Sequence, residues 1–155
     1  MAPQVSTGRI QQQVAAIASG FLGDWLEHRG NGLAVPMSVF AGDTELQVEK
    51  PEPEAPGRTL CLSIHGLMEL ESVWDFPSRP GYHYGSYLAE QLGDASALKL
   101  RFNTGRPIYR NGQELAALLE SLVSNWPVPV QRLILIGHSM GGLLIRSACH
   151  YGLVN

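Results

Sequence analysis

Short apolar runs alternate along most of this chain with longer segments in which apolar residues recur every three or four positions. Three runs have the length and composition of buried strands: Thr59 to Ile64, Ala97 to Phe102 and Arg132 to Ile136. Between them, helical spacing occurs in two groups: Tyr84, Tyr87, Leu88, Leu92, and then Leu115, Leu118, Leu119, Leu122, Trp126. This alternation predicts an α/β fold, with a mostly parallel sheet and helices on both faces.

Turn-forming residues set the ends of these elements. Gly93 is expected to stop the first helix, and Pro127 and Pro129 the second. Asn111, followed three residues later by Glu114, has the spacing of a capping box and predicts where the second helix begins.

The first fifty residues have a different pattern. Apolar residues at helical spacing predict an amphipathic helix over about 9–27, and two short strands are expected over 35–40 and 45–48. The segment 51–57 holds three prolines and is expected to be an exposed linker. The sequence therefore predicts an appendage or cap over 1–50, a linker over 51–57 and a main domain over 58–155.

Composition excludes several classes of protein. The 155 residues suit one domain with a hydrophobic core, and the net charge of −3 argues against nucleic acid as a partner. No apolar run approaches the length of a membrane span, so no transmembrane segment is expected. The N-terminus lacks a basic start followed by an apolar stretch, which argues against a secretory signal.

The two cysteines suggest a compartment. Cys61 and Cys149 both fall on predicted core elements, so we expect buried, reduced thiols and a cytoplasmic location. No cluster of Cys and His has the spacing of a zinc site, and neither a metal nor another cofactor is expected.

The pentapeptide Gly137-His138-Ser139-Met140-Gly141 fits the pattern G-x-S-x-G. It follows a predicted strand and precedes a helix-compatible stretch over 142–149, which is the arrangement of a nucleophile elbow. Glycines at 137 and 141 remove Cβ atoms that would clash in so sharp a turn, and the following helix N-terminus supplies free N–H groups. The alternative is a Gly-rich turn with an incidental serine.

A serine nucleophile needs donors for the developing oxyanion, usually two backbone N–H groups. Met140, the residue after the serine, is expected to supply one, and Leu67, in the loop after the first buried strand, the other. The side chain of His65 in that loop is expected to brace the backbone rather than to act as the base.

A candidate substrate pocket lies beyond the carboxyl ends of the strands, where such sheets bind ligands. Its residues are His65, Trp74, Asn103 and Thr104. Alternatively, these four are ordinary loop residues with turn chemistry.

An activating base is missing from the sequence pattern. No Asp or Glu follows Ser139, and His150 is the only later histidine. His150 lies three helical turns beyond the serine, roughly 16 Å along the axis, which is too far to take its proton. His28, His83 and His138 are also expected to be non-catalytic.

With these residues in place, the chain resembles an α/β-hydrolase of the lipase/esterase kind. The likeness rests on Leu62-Ser63-Ile64-His65-Gly66-Leu67, on Arg101-Phe102-Asn103-Thr104-Gly105 and on Gly137-His138-Ser139-Met140-Gly141-Gly142. It covers about 58–155 and implies a partial α/β-hydrolase fold, truncated so that the C-terminal strands, the triad acid and the triad His are absent.

The resemblance implies Ser139 as the nucleophile and Leu67 and Met140 as oxyanion donors. It implies hydrolysis of a small-molecule ester or lipid through an acyl-enzyme, with the isolated chain nearly inactive. Two other functions stay open: a binding or interaction module that keeps the elbow as architecture, and an acyltransferase. The strand from Leu133 to Ile136 would have an unpaired apolar edge, which predicts self-association.

Overall fold

The structure is a computed structural model of the chain and describes residues 35–154. The predicted helix over 9–27 lies outside these residues. The strands are β1 (Ser38–Ala41), β2 (Thr44–Leu46), β3 (Thr59–Ile64), β4 (Asp75–Phe76), β5 (Arg79–His83), β6 (Ala95–Arg101) and β7 (Arg132–Gly137). The helices are α1 (Tyr84–Leu92), α2 (Ile108–Asn125) and α3 (Met140–Val154), and a 3₁₀ helix spans Glu71–Trp74.

Five of the strands form one sheet in the order β2–β1–β6–β3–β7. The central strand β3 runs parallel to both β6 and β7, whereas β1 is antiparallel to β2 and to β6. The fold is therefore α/β, as predicted, but its sheet is mixed around a parallel core. The antiparallel part comes from residues 38–46, which were expected in the N-terminal appendage and which instead extend the main sheet beyond β6.

One face of the sheet carries the apolar core. Every second residue in the middle of β3 and β6 points to this face. These apolar side chains are completely buried: Leu60, Leu62, Ile64, Leu98, Leu100. Side chains from α2 and α3 complete this core, among them Leu115, Leu122 and Leu144. The two helices also pack against each other.

The opposite face is polar and lies under α1 and the segment between β3 and α1. Lys99 of β6 is buried here, with its Nζ 2.8 Å from a carboxylate oxygen of Asp75 and 3.6 Å from one of Asp43. Arg101 forms a bidentate pair with Glu71, through bonds of 2.7 and 2.6 Å. Helices thus cover both faces of the sheet, and ion pairs hold the 3₁₀ helix and the β4–β5 hairpin against β6.

Helix α1 begins at a buried histidine. The Nδ1 of His83 accepts a hydrogen bond of 3.2 Å from the Gly85 N–H, and the Ser86 hydroxyl accepts one from the His83 N–H, so the two residues form a capping box. Burial lowers the pKa of His83 to about 4, and the nearby positive charge of Lys99 acts in the same direction. This side chain is therefore neutral in the folded protein at neutral pH.

Helix α2 begins earlier than predicted, and the expected capping box at Asn111 is wrong. The N-cap position is occupied by Pro107. Asn111 lies buried within the first turn, where its Nδ2 donates a 2.8 Å hydrogen bond to the main-chain oxygen of Asn103. Its side chain satisfies the preceding loop instead of the helix's own N–H groups.

The predicted linker over 51–57 has no regular secondary structure, but its end is fixed to the sheet. The Gly57 N–H donates to the Ser96 hydroxyl at 2.9 Å, and the indole N–H of Trp126 donates to the Gly57 oxygen at 3.0 Å. Cys61 is completely buried, as expected, whereas Cys149 is exposed on α3, and neither forms a disulfide. None of the helices in residues 35–154 is long and apolar enough to span a membrane.

Strand β7 has β3 as its single neighbour among the described strands. Leu133 and Leu135 pack against the apolar core, whereas Ile134 and Ile136 point to the other face and are half-buried. An apolar edge strand of this kind presents unpaired N–H and C=O groups to other chains.

We expect the protein to lose stability as the pH falls from about 6.5 towards about 4. In that range the unfolded His83 binds a proton that the folded side chain, with its lowered pKa, does not. His83→Asn keeps a good N-cap residue and should reduce the pH slope of the unfolding free energy by up to about 1.4 kcal/mol per pH unit. Urea unfolding across pH 4.5–7.5 measures both slopes, and identical slopes would contradict this assignment.

We also expect the 155-residue chain to self-associate through β7. Ile134→Lys places a charge on the edge strand and should shift the protein towards monomer, because pairing would bury that charge. Sedimentation velocity at several concentrations measures the effect, with Gln47→Lys, at an exposed position after β2, as the matched control. A wild-type chain that is monomeric throughout would contradict the expectation.

Candidate active site

Ser139 occupies the turn between β7 and α3. Its φ is +50°, in the left-handed region that non-glycine residues rarely adopt, and the residue is exposed. The His138 N–H donates to the Ile64 oxygen at 3.0 Å, so pairing with β3 continues up to the residue before the serine. The Gly142 N–H then bonds to the Ser139 oxygen at 3.0 Å in the first turn of α3. Strand, strained serine and helix follow one another as in a nucleophile elbow.

The glycines of the motif lie where backbones touch. A Cβ on Gly141 would overlap the carbonyl oxygen of Ile64 and would lie 2.7 Å from that of His65. A Cβ on Gly137 would lie 2.6 Å from the Gly142 nitrogen. The first turn of α3 therefore packs directly on the ends of β3 and β7, and no side chain fits between them.

The two expected oxyanion donors flank this contact. Among the described residues, the N–H groups of Leu67 and Met140 have no hydrogen-bond acceptor, whereas those of Gly66 and Met68 are both bonded to side chains. Met140 is the first residue of α3, so its N–H lies at the positive end of the helix.

The loop after β3 lies against the serine. A Cβ on Gly66 would lie 3.3 Å from the Ser139 Cβ, 3.2 Å from the Nδ1 of His138 and 2.9 Å from an oxygen of Glu69. Glu69 accepts a 2.6 Å hydrogen bond from the Gly66 N–H, and the same oxygen lies 3.1 Å from the His138 Nδ1. Sequence reasoning did not predict the contact between Glu69 and His138, because the two residues are 69 positions apart.

His65 braces this loop from inside. Its side chain is completely buried and stacks on Phe102 with 4.5 Å between ring centroids. Nδ1 lies 2.9 Å from the Gly66 oxygen and must donate to it, and Nε2 accepts from the Phe102 N–H at 3.3 Å. These bonds need a neutral ring, and burial lowers the pKa of His65 accordingly. Both nitrogens are occupied, so this ring has neither a lone pair for Ser139 nor a face for a substrate.

The other pocket candidates have different positions. Asn103 is buried, and its Oδ1 accepts from the Gly105 N–H at 3.0 Å, so it shapes its own loop. Thr104 is also buried and accepts from the Met68 N–H at 3.2 Å, which brings it to the loop beside Ser139. Trp74 packs edge-on against Tyr84 at the start of α1, and its indole N–H is buried with no hydrogen-bond partner within residues 35–154.

None of the described histidines is hydrogen-bonded to the Ser139 hydroxyl. His65 and His83 are bound to backbone groups, His138 faces Glu69, and His150 packs on Tyr151. Within residues 35–154 no group of three His, Cys, Asp or Glu side chains could hold a metal ion. The described site thus contains a strained serine and two N–H groups without acceptors, and no described side chain is hydrogen-bonded to the Ser139 hydroxyl.

No family of proteins, curated protein or solved structure matches this chain. The interpretation of the site therefore depends on its own geometry.

The packing at Gly141 gives a matched pair of variants. Gly141→Ala should destabilise the protein by about 1–3 kcal/mol, because the added methyl would overlap the backbone of β3. Gly142→Ala, one residue along α3, meets no atom within 4 Å and should stabilise it by about 0.5–1 kcal/mol through helix propensity. Chemical unfolding of both variants measures the difference. Equal effects would mean that α3 does not pack on β3 in this way.

Proposed function

We propose that this chain carries the nucleophile of a serine hydrolase of carboxylic esters, with an α/β-hydrolase fold of the lipase/esterase kind. The observation that carries the proposal is the left-handed Ser139 between β7 and α3, next to two N–H groups without acceptors. Strained non-glycine backbone of this kind costs about 1–3 kcal/mol and persists mainly at functional sites.

In the proposed reaction, the Ser139 Oγ attacks the carbonyl carbon of an ester. The carbonyl oxygen becomes an oxyanion that accepts hydrogen bonds from the Leu67 and Met140 N–H groups. The C–O bond to the alcohol then breaks, the alcohol leaves with a proton, and water hydrolyses the acyl-enzyme to regenerate the serine. The base that takes the Ser139 proton would come from outside the described residues, and no cofactor enters any step.

The substrate class follows from the same site. An exposed serine with two neutral donors suits a small-molecule ester or a lipid, and the net charge of −3 disfavours a nucleic acid. A cytoplasmic location is part of the proposal. An acyltransferase would use the same serine and donors with an acceptor other than water, and a binding module would use the elbow as architecture alone.

Labelling by a fluorophosphonate tests the nucleophile directly. The wild-type chain should be labelled slowly, since removing the base from a triad costs about 10⁶-fold in rate, and mass spectrometry should locate the label on Ser139. Ser139→Ala should abolish labelling. Ser124→Ala, at an exposed position on α2, should leave it unchanged. Equal labelling of the wild type and Ser139→Ala would contradict the proposed nucleophile and would favour the binding module.

A further inference from the structure

The loop after β3, residues 65–69, is here called the oxyanion loop. Three successive N–H groups of this loop differ in their hydrogen-bond partners. The Gly66 N–H donates to Glu69 at 2.6 Å, and the Met68 N–H donates to the Thr104 hydroxyl at 3.2 Å. The Leu67 N–H between them has no acceptor among the described residues. The side chains of Glu69 and Thr104 therefore bind the two flanking N–H groups, and the Leu67 N–H between them is left without an acceptor among the described residues.

We propose that Glu69 and Thr104 are positioning residues that hold the oxyanion loop so that Leu67 supplies its donor. This role rests on the proposed function of Ser139. Neither side chain touches the reacting atoms in this account, because both act through the backbone of the loop.

The loop needs such support because its backbone is strained. Met68 has a φ of +59°, in the left-handed region, at a cost of about 1–2 kcal/mol for a residue with a side chain. It is the N–H of this residue that donates to the Thr104 hydroxyl. Thr104 is 5% exposed and follows β6, so it fixes the loop to the parallel core of the sheet.

Glu69 holds the other end of the loop and connects it to the elbow. The oxygen that accepts from Gly66 also contacts the Nδ1 of His138, the residue before the nucleophile. Gly66 itself lies so close to Ser139 that a Cβ would be 3.3 Å from the serine Cβ. A change in this contact would therefore move the Leu67 N–H relative to Ser139.

The position of that donor matters as well as its presence. Oxyanion donors contribute through fixed geometry, and a displacement of about 1 Å can cost roughly 100-fold in rate. The negative charge of Glu69 is not what the loop requires, because a carboxylate near a forming oxyanion repels it. A neutral acceptor at the same place should serve the loop as well.

Two conservative pairs separate this role from general stability. Thr104→Val removes the acceptor at nearly constant shape, whereas Thr104→Ser keeps it. Glu69→Ala removes the second acceptor, whereas Glu69→Gln keeps an oxygen without the charge. Thr44→Val, at an exposed position on β2, makes the same chemical change far from the elbow and serves as the control.

The readout is the second-order rate constant of fluorophosphonate labelling at Ser139 in the 155-residue chain. In that reaction the Oγ–P bond forms, fluoride leaves and the serine proton passes to the buffer, while the phosphoryl oxygen occupies the oxyanion position. Thr104→Val and Glu69→Ala should be labelled about tenfold more slowly or worse. Thr104→Ser, Glu69→Gln and Thr44→Val should stay within about twofold of wild type. Thermal melting of each variant, followed by circular dichroism, identifies any that fail to fold, and the remaining pair then decides.

The outcomes are distinct. A wild-type chain that is not labelled at all would overturn the proposed function and this role with it. Labelling of the wild type together with equal rates for Thr104→Val and Glu69→Ala would overturn the positioning role alone. A Gln variant as slow as the Ala variant would assign the effect to the charge of Glu69 and would also overturn it.

Discussion

The contact between the first turn of α3 and the end of β3 governs the rest of this structure. Gly141 lies over the carbonyl groups of Ile64 and His65 with no room for a methyl group. The chain must therefore reverse from β7 into α3 within two residues, and Ser139 takes a left-handed conformation. This costs about 1–3 kcal/mol. Burying Leu144 and Ala148 of α3 in the core offsets it, since one fully buried leucine is worth about 1.5–3 kcal/mol.

The two faces of the sheet have different tasks. The apolar face supplies the core that holds α2 and α3. The polar face buries Lys99, which would cost several kcal/mol without a partner. Asp75 of the β4–β5 hairpin pairs with Lys99, and Glu71 of the 3₁₀ helix pairs with Arg101. The segment that carries the oxyanion loop is thereby anchored at both ends, at β3 before it and at these ion pairs after it. Buried ion pairs contribute little net stability, so their value here lies in fixing one arrangement of the segment.

Sequence reasoning predicted best the parts that local pattern controls. The apolar run of β3 predicted that strand at its observed bounds, and the motif around Ser139 predicted a strand, a turn and a helix in the right order. The antiparallel addition of β1 to β6 was not predicted, because no local signal encodes which strands pair. The β4–β5 hairpin was missed as well, since its strands are short and lack alternation, and β5 contains a proline.

Polar residues within the site were the hardest to assign, because their partners are distant in sequence. Asn111 has the spacing of a helix cap, yet its amide bonds to a loop eight positions earlier. Glu69 accepts a hydrogen bond from Gly66, three positions earlier, whereas its contact with His138 depends on the pairing of β3 with β7. Thr104 was singled out by its place after a strand, and its observed bond is to the Met68 backbone, 36 positions away. In each case the residue type indicated a polar contact, but the tertiary structure determined which group became its partner.

Ser139 and Met68 both have a strained, left-handed backbone, and they lie on neighbouring loops of the proposed site. The G-x-S-x-G pattern accounts for the left-handed Ser139. It does not account for the conformation of Met68, which lies in another loop and has a φ of +59°. Glycine at either position would relieve the strain. A fold with no use for this geometry would gain stability by relaxing both residues. Their occurrence beside the N–H groups of Leu67 and Met140, which have no acceptor among the described residues, supports the proposed oxyanion-binding site.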